Sequence, residues 1–316
     1  MILPFFHGIP SFRALITWCL FFTNIVFYFS YSPQQKKFED SLTKIYNDDF
    51  YIQAQGQLFA QIIDTHPQES SDLLNSISYK ARLGSLESQK TLGQLAFRSS
   101  FFKKYALTQE FNGDEIQYGH WKEVYEKMIK DQREDPSFIM GLTKGNSSIF
   151  HMISYQFAHG GILHLASNLW FLLIFGSFLE RLWGSLYFIG FYLASGIIAA
   201  QVFVLLSGAS EAPLIGASGS ISGLMGLVLV LFWNKKINCF YWILPKIGYH
   251  GFKKFPAWVV FVVWLCSDLA GYLGTMDEFG GVAHAAHLGG FGFGALLGVL
   301  LRLIQSERSL FASYSQ

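Results

Sequence analysis

Ser218, in the stretch GASGSISG, and His287, in AHLGGFGFG, are the residues of this sequence whose types could together carry out nucleophilic chemistry. A serine hydroxyl is a poor nucleophile until a base takes its proton, and the usual base is histidine. In HGGILHLASNLWFLL, His164 and Asn168 stand four apart and so share one face of a helix. Attack on a carbonyl passes through a tetrahedral oxyanion, which preorganised donors in a water-poor site can stabilise by several kcal/mol. Asn and His side chains suit that role. The backbone N–H of Ser218, near the positive end of its own helix, is a further candidate donor.

The elements that must position these groups are membrane helices. Of the 316 residues 51% are hydrophobic and only 14% charged, against about a quarter charged in soluble domains. Six apolar segments approach the length that crosses a hydrocarbon core: 11–31, 162–179, 185–207, 214–233, 257–276 and 281–304. The first ends in FYFSYSPQ without a small-residue cleavage site, so it reads as a retained helix. Residues 32–149 are polar and mixed in charge, with apolar residues at helical spacing, which predicts a mostly helical soluble insertion. Net charge is +1, so charge gives no pointer to nucleic acid. Cys19, Cys239 and Cys266 lack the paired spacing of a disulfide framework or zinc site and read as packing residues.

Positive charge in short loops sets orientation. Loop 234–255 carries Lys235, Lys236, Lys246, Lys253 and Lys254 and is expected in the cytoplasm, with the tail 305–316. Loops 208–213 and 277–281 carry no Lys or Arg and are expected outside, which makes the insertion external and the N-terminus cytoplasmic; Lys36 and Lys37 argue weakly against this.

Taken alone, each motif has a plainer meaning. GASGSISG is a packing seam, with Gly219 and Gly223 as a GxxxG pair and Ser218, Ser222 and Gly226 as a second row of small residues. A membrane histidine or asparagine more often ties helices together by hydrogen bonds. Depth argues for more. At about 1.5 Å per residue, Ser218 is expected roughly 6 Å below a helix start at Leu214, and His287 roughly 9 Å below Gly281. Gly290, Gly294 and Gly298 follow His287 down one face and allow close approach. His284 is the second choice of base, His159 a structural loop residue or rim water ligand, and Asp268 a helix lock rather than a third catalytic member.

HxxxN at 164–168, GASG at 216–219 and AHxxGxxxG at 286–294, in this order, resemble the rhomboid intramembrane serine proteases over roughly residues 148–304. The resemblance implies a nucleophile at Ser218, a general base at His287 in a dyad, and an oxyanion hole from His164, Asn168 and Ser218. It implies transmembrane protein substrates in a lipid bilayer, an acyl-enzyme intermediate, and neither metal nor cofactor. The fold it implies is an all-α, six-helix rhomboid-like bundle carrying the external insertion. Residues 1–31 hold the first membrane helix, 32–149 the insertion, 150–304 the catalytic core and 305–316 the tail. The active site is expected to open to the extracytoplasmic side, and the compact layout suggests a bacterial inner membrane. Two departures stand out: Phe150-His151 where members often have Trp-Arg, and Ser222 where a ring can stack on the histidine. The rival readings are a rhomboid-like protein that only binds membrane helices, and a metal or proton transporter, against which the absence of inverted repeats and of HExxH counts.

Overall fold

The computed structural model describes residues 2–5, 13–143, 145–206, 212–243, 249–274 and 282–304. The two expected external loops, 208–213 and 277–281, lie mostly outside these residues, and the tail 305–316 wholly so.

Helix α1, Leu15–Tyr46, is 32 residues long and runs past the expected boundary at residue 31. Its first half is apolar. Its second half is richer in Gln and Lys, which favour helix, and its Leu42 and Ile45 pack against the core of the insertion. Between α1 and the apolar core lie α2 (Asp49–Thr65), α3 (Asp72–Arg82), α4 (Leu86–Ala96), α5 (Ser100–Tyr105), α6 (Glu115–Glu134) and α7 (Pro136–Met140). Each starts on a short polar cap, Asp48, Ser71, Ser85, Ser99, Asp114 and Asp135 in turn, whose side chain accepts a backbone N–H of the first turn. Helices α2 to α6 share a core of their own around Tyr51, Leu58, Phe59, Phe102 and Trp121. The buried Gln55 is satisfied there by Tyr51, Trp121 and the carbonyl of Gly93.

The apolar part begins with α8 (Ile149–Ser154) and a 3₁₀ turn, Tyr155–Phe157. Then come α9 (Ile162–Phe171), a π turn, α10 (Ser177–Trp183), α11 (Ser185–Leu206), α12 (Ser218–Leu231), α13 (Ala257–Gly274) and α14 (Val282–Ile304). Among the described residues, four helical stretches are long and apolar enough to cross a membrane: Leu15–Tyr46, Ile162–Trp183, Ser185–Leu206 and His284–Ile304. Two are shorter, Ser218–Leu231 and Ala257–Leu273. Helix α12 is buried along almost its whole length, which makes it the central helix of the bundle.

Two expectations need correction. The lysine-bearing loop 234–255 folds mainly into strands β2 (Lys236–Ile243) and β3 (Tyr249–Pro256), and β1 (Ile2–Phe5) adds to them in the antiparallel order β1-β2-β3. The molecule is mostly helical, as expected, with this small sheet added to the helices. The run Lys236–Ile243 is dense in Ile, Phe, Tyr and Trp, residues that fit a pleated surface, and reading it only for charge hid that. The packing role expected for cysteine holds for Cys239, which is buried; Cys19 and Cys266 are exposed on apolar helices.

Glu180 fixes the start of α1. Its carboxylate accepts from the backbone N–H of Ile16 and Thr17 and from the hydroxyls of Thr17 and Ser185, at 2.6 to 2.9 Å. One side chain thus joins the beginning of α1, the end of α10 and the beginning of α11. The same end of the bundle carries Lys235, Lys236 and Arg302, whose guanidinium donates to the carbonyl of Leu231.

Candidate active site

Glycines set the distance between the helices that carry Ser218 and His287. A Cβ on Gly290 would collide with the carbonyl of Gly219, one on Gly294 with that of Gly223, and one on Gly298 would meet Val230. The residue numbers rise together, so α12 and α14 run parallel, as the depth argument required. Gly219 and Gly223 also abut Ala199 and Ser195 of α11, so both faces of the small-residue stretch are used for packing.

The expected helix start at Leu214 is too early. Leu214 exchanges two backbone hydrogen bonds with Leu142, of 2.8 and 3.0 Å, and the helix begins at Ser218 itself. The chain enters the bundle in extended form, because Gly216 at φ 113° makes a turn that a side chain would strain. The N–H of Gly216 donates to the carbonyl of Tyr155 at 2.8 Å, and the Tyr155 hydroxyl donates to the carbonyl of Gly196 at 2.8 Å. Beside it, Gln156 accepts from the Ser220 hydroxyl at 2.8 Å. Tyr155 and Gln156 were not singled out in the sequence, although two polar side chains in an otherwise apolar stretch were a signal that they hold something.

His287 Nε2 lies 2.7 Å from Ser218 Oγ. Its Nδ1 lies 3.1 Å from Asp268 Oδ1 on α13, and His284 Nδ1 lies 2.7 Å from the same oxygen. Asp268 is buried, and its contact with His287 corrects the reading of it as a lock between helices only. His284 has its hydrogen bond to Asp268, with none to Ser218 among the described residues. Ser222 donates to the Ser218 carbonyl at 2.7 Å and does not hold the imidazole. The ring nearest His287 is instead Trp264 of α13, 6.1 Å between centroids and stacked on Phe291; nothing in the one-dimensional spacing marked it.

His164 and Asn168 flank Gly216. A Cβ there would lie 2.7 Å from His164 Nε2 and 3.5 Å from Asn168 Nδ2. The Gly160 N–H points at His164 Nδ1, at 3.4 Å, which leaves Nε2 as the protonated nitrogen of the neutral ring, aimed towards the start of α12. Asn168 Nδ2 gives one proton to the carbonyl of His164 at 3.0 Å and keeps a second. As the first residue of α12, Ser218 has its own N–H outside the helical ladder. His159 is buried in a loop and packs edge-on against His164, 5.2 Å between centroids. His151 is held by Asn146 and Ser148.

The Rhomboid domain family matches residues 146–304, just over half of the chain. The chain belongs to the rhomboid family. It is 31% identical over 168 residues to the mitochondrial Rhomboid protein 1 of Saccharomyces cerevisiae, 51% of this chain and 45% of that one. It is 30% identical over 145 residues to the mitochondrial Presenilin-associated rhomboid-like protein A of Danio rerio, 45% of this chain and 35% of that one. Against RHOMBOID-like protein 5 of Arabidopsis thaliana it is 30% identical over 156 residues, 49% of this chain and 44% of the other. The chain thus spans less than half the length of each of these rhomboid relatives. Two of the three are named mitochondrial and none is bacterial, so they lend no support to the bacterial inner membrane expected from the sequence.

Proposed function

We propose that this rhomboid is an intramembrane serine protease that hydrolyses peptide bonds in or near transmembrane segments of other proteins. The observation that carries the reading is the 2.7 Å contact between Ser218 Oγ and His287 Nε2 within a bundle of apolar helices. The six apolar segments lie in the bilayer. The end that carries the lysines faces the cytoplasm by the positive-inside rule, so the site opens on the extracytoplasmic side and the helical insertion stands outside.

The hydrogen bond of His287 Nδ1–H to Asp268 fixes the tautomer that presents the Nε2 lone pair to Ser218. As Oγ attacks the substrate carbonyl carbon, Nε2 takes the hydroxyl proton. The developing oxyanion is met by His164 Nε2–H, the free proton of Asn168 and the N–H of Ser218. Collapse of this intermediate passes the proton from Nε2 to the leaving amine and leaves an acyl-enzyme. Water, deprotonated by His287, then releases the second product and restores the Ser218 hydroxyl. Asp268 is a positioning residue that does not meet the reacting atoms. No step calls for a metal or cofactor.

The test is cleavage of a single-span substrate by the purified chain in liposomes, with serine-reactive fluorophosphonate labelling alongside. Ser218→Ala should abolish both. Cleavage that persists in this variant would overturn the assignment, and a wild-type chain that neither cleaves nor labels would support a rhomboid that only binds membrane helices.

A further inference from the structure

The mechanism leaves one ionisable side chain of the cluster unused. His284 contacts neither Ser218 nor the donors around Gly216, yet it places its Nδ1 on the same carboxylate oxygen as the base. The three candidate ligand atoms of Asp268, His284 and His287 all lie within 4.8 Å of one another. The two imidazoles stand three residues apart on one rigid helix with their planes at 90°, so both Nδ1 atoms converge on α13. Asp268 side-chain exposure is 9%, and its second oxygen, Oδ2, has no hydrogen-bond partner among the described residues. A buried carboxylate whose second oxygen lacks a donor holds negative charge that a cation on its first oxygen would offset. His284, at 31% side-chain exposure, provides the way in.

We propose that Asp268, His284 and His287 form an inhibitory site for Zn²⁺. Two imidazoles and one carboxylate are a zinc donor set, and they disfavour Mg²⁺ and Ca²⁺, which require mainly oxygen ligands. Tetrahedral bonds near 2.0–2.1 Å put ligand atoms about 3.3 Å apart. The present separations from Asp268 Oδ1 are 2.7 and 3.1 Å, and all three ligand atoms lie within 4.8 Å of one another, so side-chain rotation must equalise the three distances. Three protein ligands leave the fourth position to water.

The consequence for the base follows from the position of one proton. Without the ion, His287 carries hydrogen on Nδ1 and offers the Nε2 lone pair to Ser218. Zinc bonds through the Nδ1 lone pair, so the ring proton must move to Nε2, carried by water. His284 changes tautomer in the same way. No net proton is released and nothing is oxidised or reduced. Nε2 of His287 is then a donor facing the Ser218 hydroxyl and can no longer take its proton, so acylation stops. The inhibition rests on the proteolytic reading, whereas the metal site itself does not.

Two measurements separate these. The first titrates Co²⁺, a spectroscopic substitute for zinc, into the purified Ser218→Ala chain in detergent. The visible bands of a four-coordinate cobalt site should appear, and should be lost when His284→Gln or His284→Ala is added. Their absence from the Ser218→Ala chain, or their persistence in both double variants, overturns the site whether or not the protein is a protease. The second follows substrate cleavage against free Zn²⁺. Zinc should inhibit the wild type reversibly with EDTA, Mg²⁺ should not, and His284→Gln should keep basal activity while raising the zinc midpoint about 10-fold or more. Equal inhibition of wild type and His284→Gln, or equal inhibition by Mg²⁺, overturns the regulatory claim.

Discussion

Gly290 of α14 lies against the carbonyl of Gly219 on α12 with no space for a methyl group between them. The approach is what brings His287 within hydrogen-bonding distance of Ser218, because each side chain is one to three residues from the point of contact. Gly290→Ala must therefore push the two helices apart, at a cost of about 1–3 kcal/mol for an overpacked site, and activity should be lost with it. Gly292, where an added Cβ would meet nothing within 4 Å, is the control. Thermal stability in detergent and cleavage rate should both be unchanged in Gly292→Ala.

Ser218 and His287 act on one proton, so removing either removes the same step. Ser218→Ala, His287→Ala and the double variant should have nearly equal residual rates, a non-additivity seen where residues work as a unit. A double variant far slower than both single ones would assign the two residues to separate steps.

Asp268→Asn should lower cleavage by a factor on the order of 10²–10⁴, because an amide can donate to Nδ1 and so stabilise the wrong tautomer of His287. The rate-against-pH profile should change shape, and Asp268→Glu should recover part of the rate. Loss of activity with an unchanged profile and no rescue by Glu would mark Asp268 as structural.

His164→Ala removes the donor aimed at the start of α12 and should reduce kcat by a factor of about 10²–10³ with little change in KM. A change confined to KM would place His164 in substrate binding instead.

Asp48 predicts acid sensitivity in the insertion. It caps α2 through the N–H groups of Phe50 and Tyr51 and lies 3.0 Å from His120 Nε2. Burial alone would raise its carboxyl, but the hydrogen bonds of His120 and of these two N–H groups outweigh it and hold Asp48 below its ordinary value. The unfolded chain, at about 3.9, then binds the proton more readily than the folded one. The stabilisation is complete above that pH and is lost as pH falls through the lowered value. Hydrogen exchange of the α2 amides should accelerate over that window in the wild type, and Asp48→Asn should flatten the dependence.

Much of the site was legible because its signals are local. Histidine and asparagine are costly in apolar helices, so His287, His164 and Asn168 stood out one by one, whereas Ser218, in a stretch that packing alone explains, stood out only beside them. The four-residue recurrence of Gly290, Gly294 and Gly298 named the contact face of α14, and the spacing of His164 and Asn168 named theirs. The helical character of the insertion was legible from its apolar spacing, though not its caps nor the way its helices share a core around Trp121.

Other features depend on residues far apart in the chain. The sheet needs β1 from the N-terminus to pair with β2 more than 230 residues later, and no local pattern specifies that partner. Leu214 looked helical by hydropathy, but pairing with Leu142 claimed its backbone groups and delayed the helix to Ser218.

The sequence by itself determined which groups could react and on which helix faces they stand, because residue type and the 3.6-residue period are properties of the chain. Tertiary structure alone decided which nitrogen of His287 meets Ser218, that Asp268 holds the other, and that His284 shares it. Those relationships are set by how three separate helices rotate and close on one another, and that rotation is fixed by packing across the whole bundle.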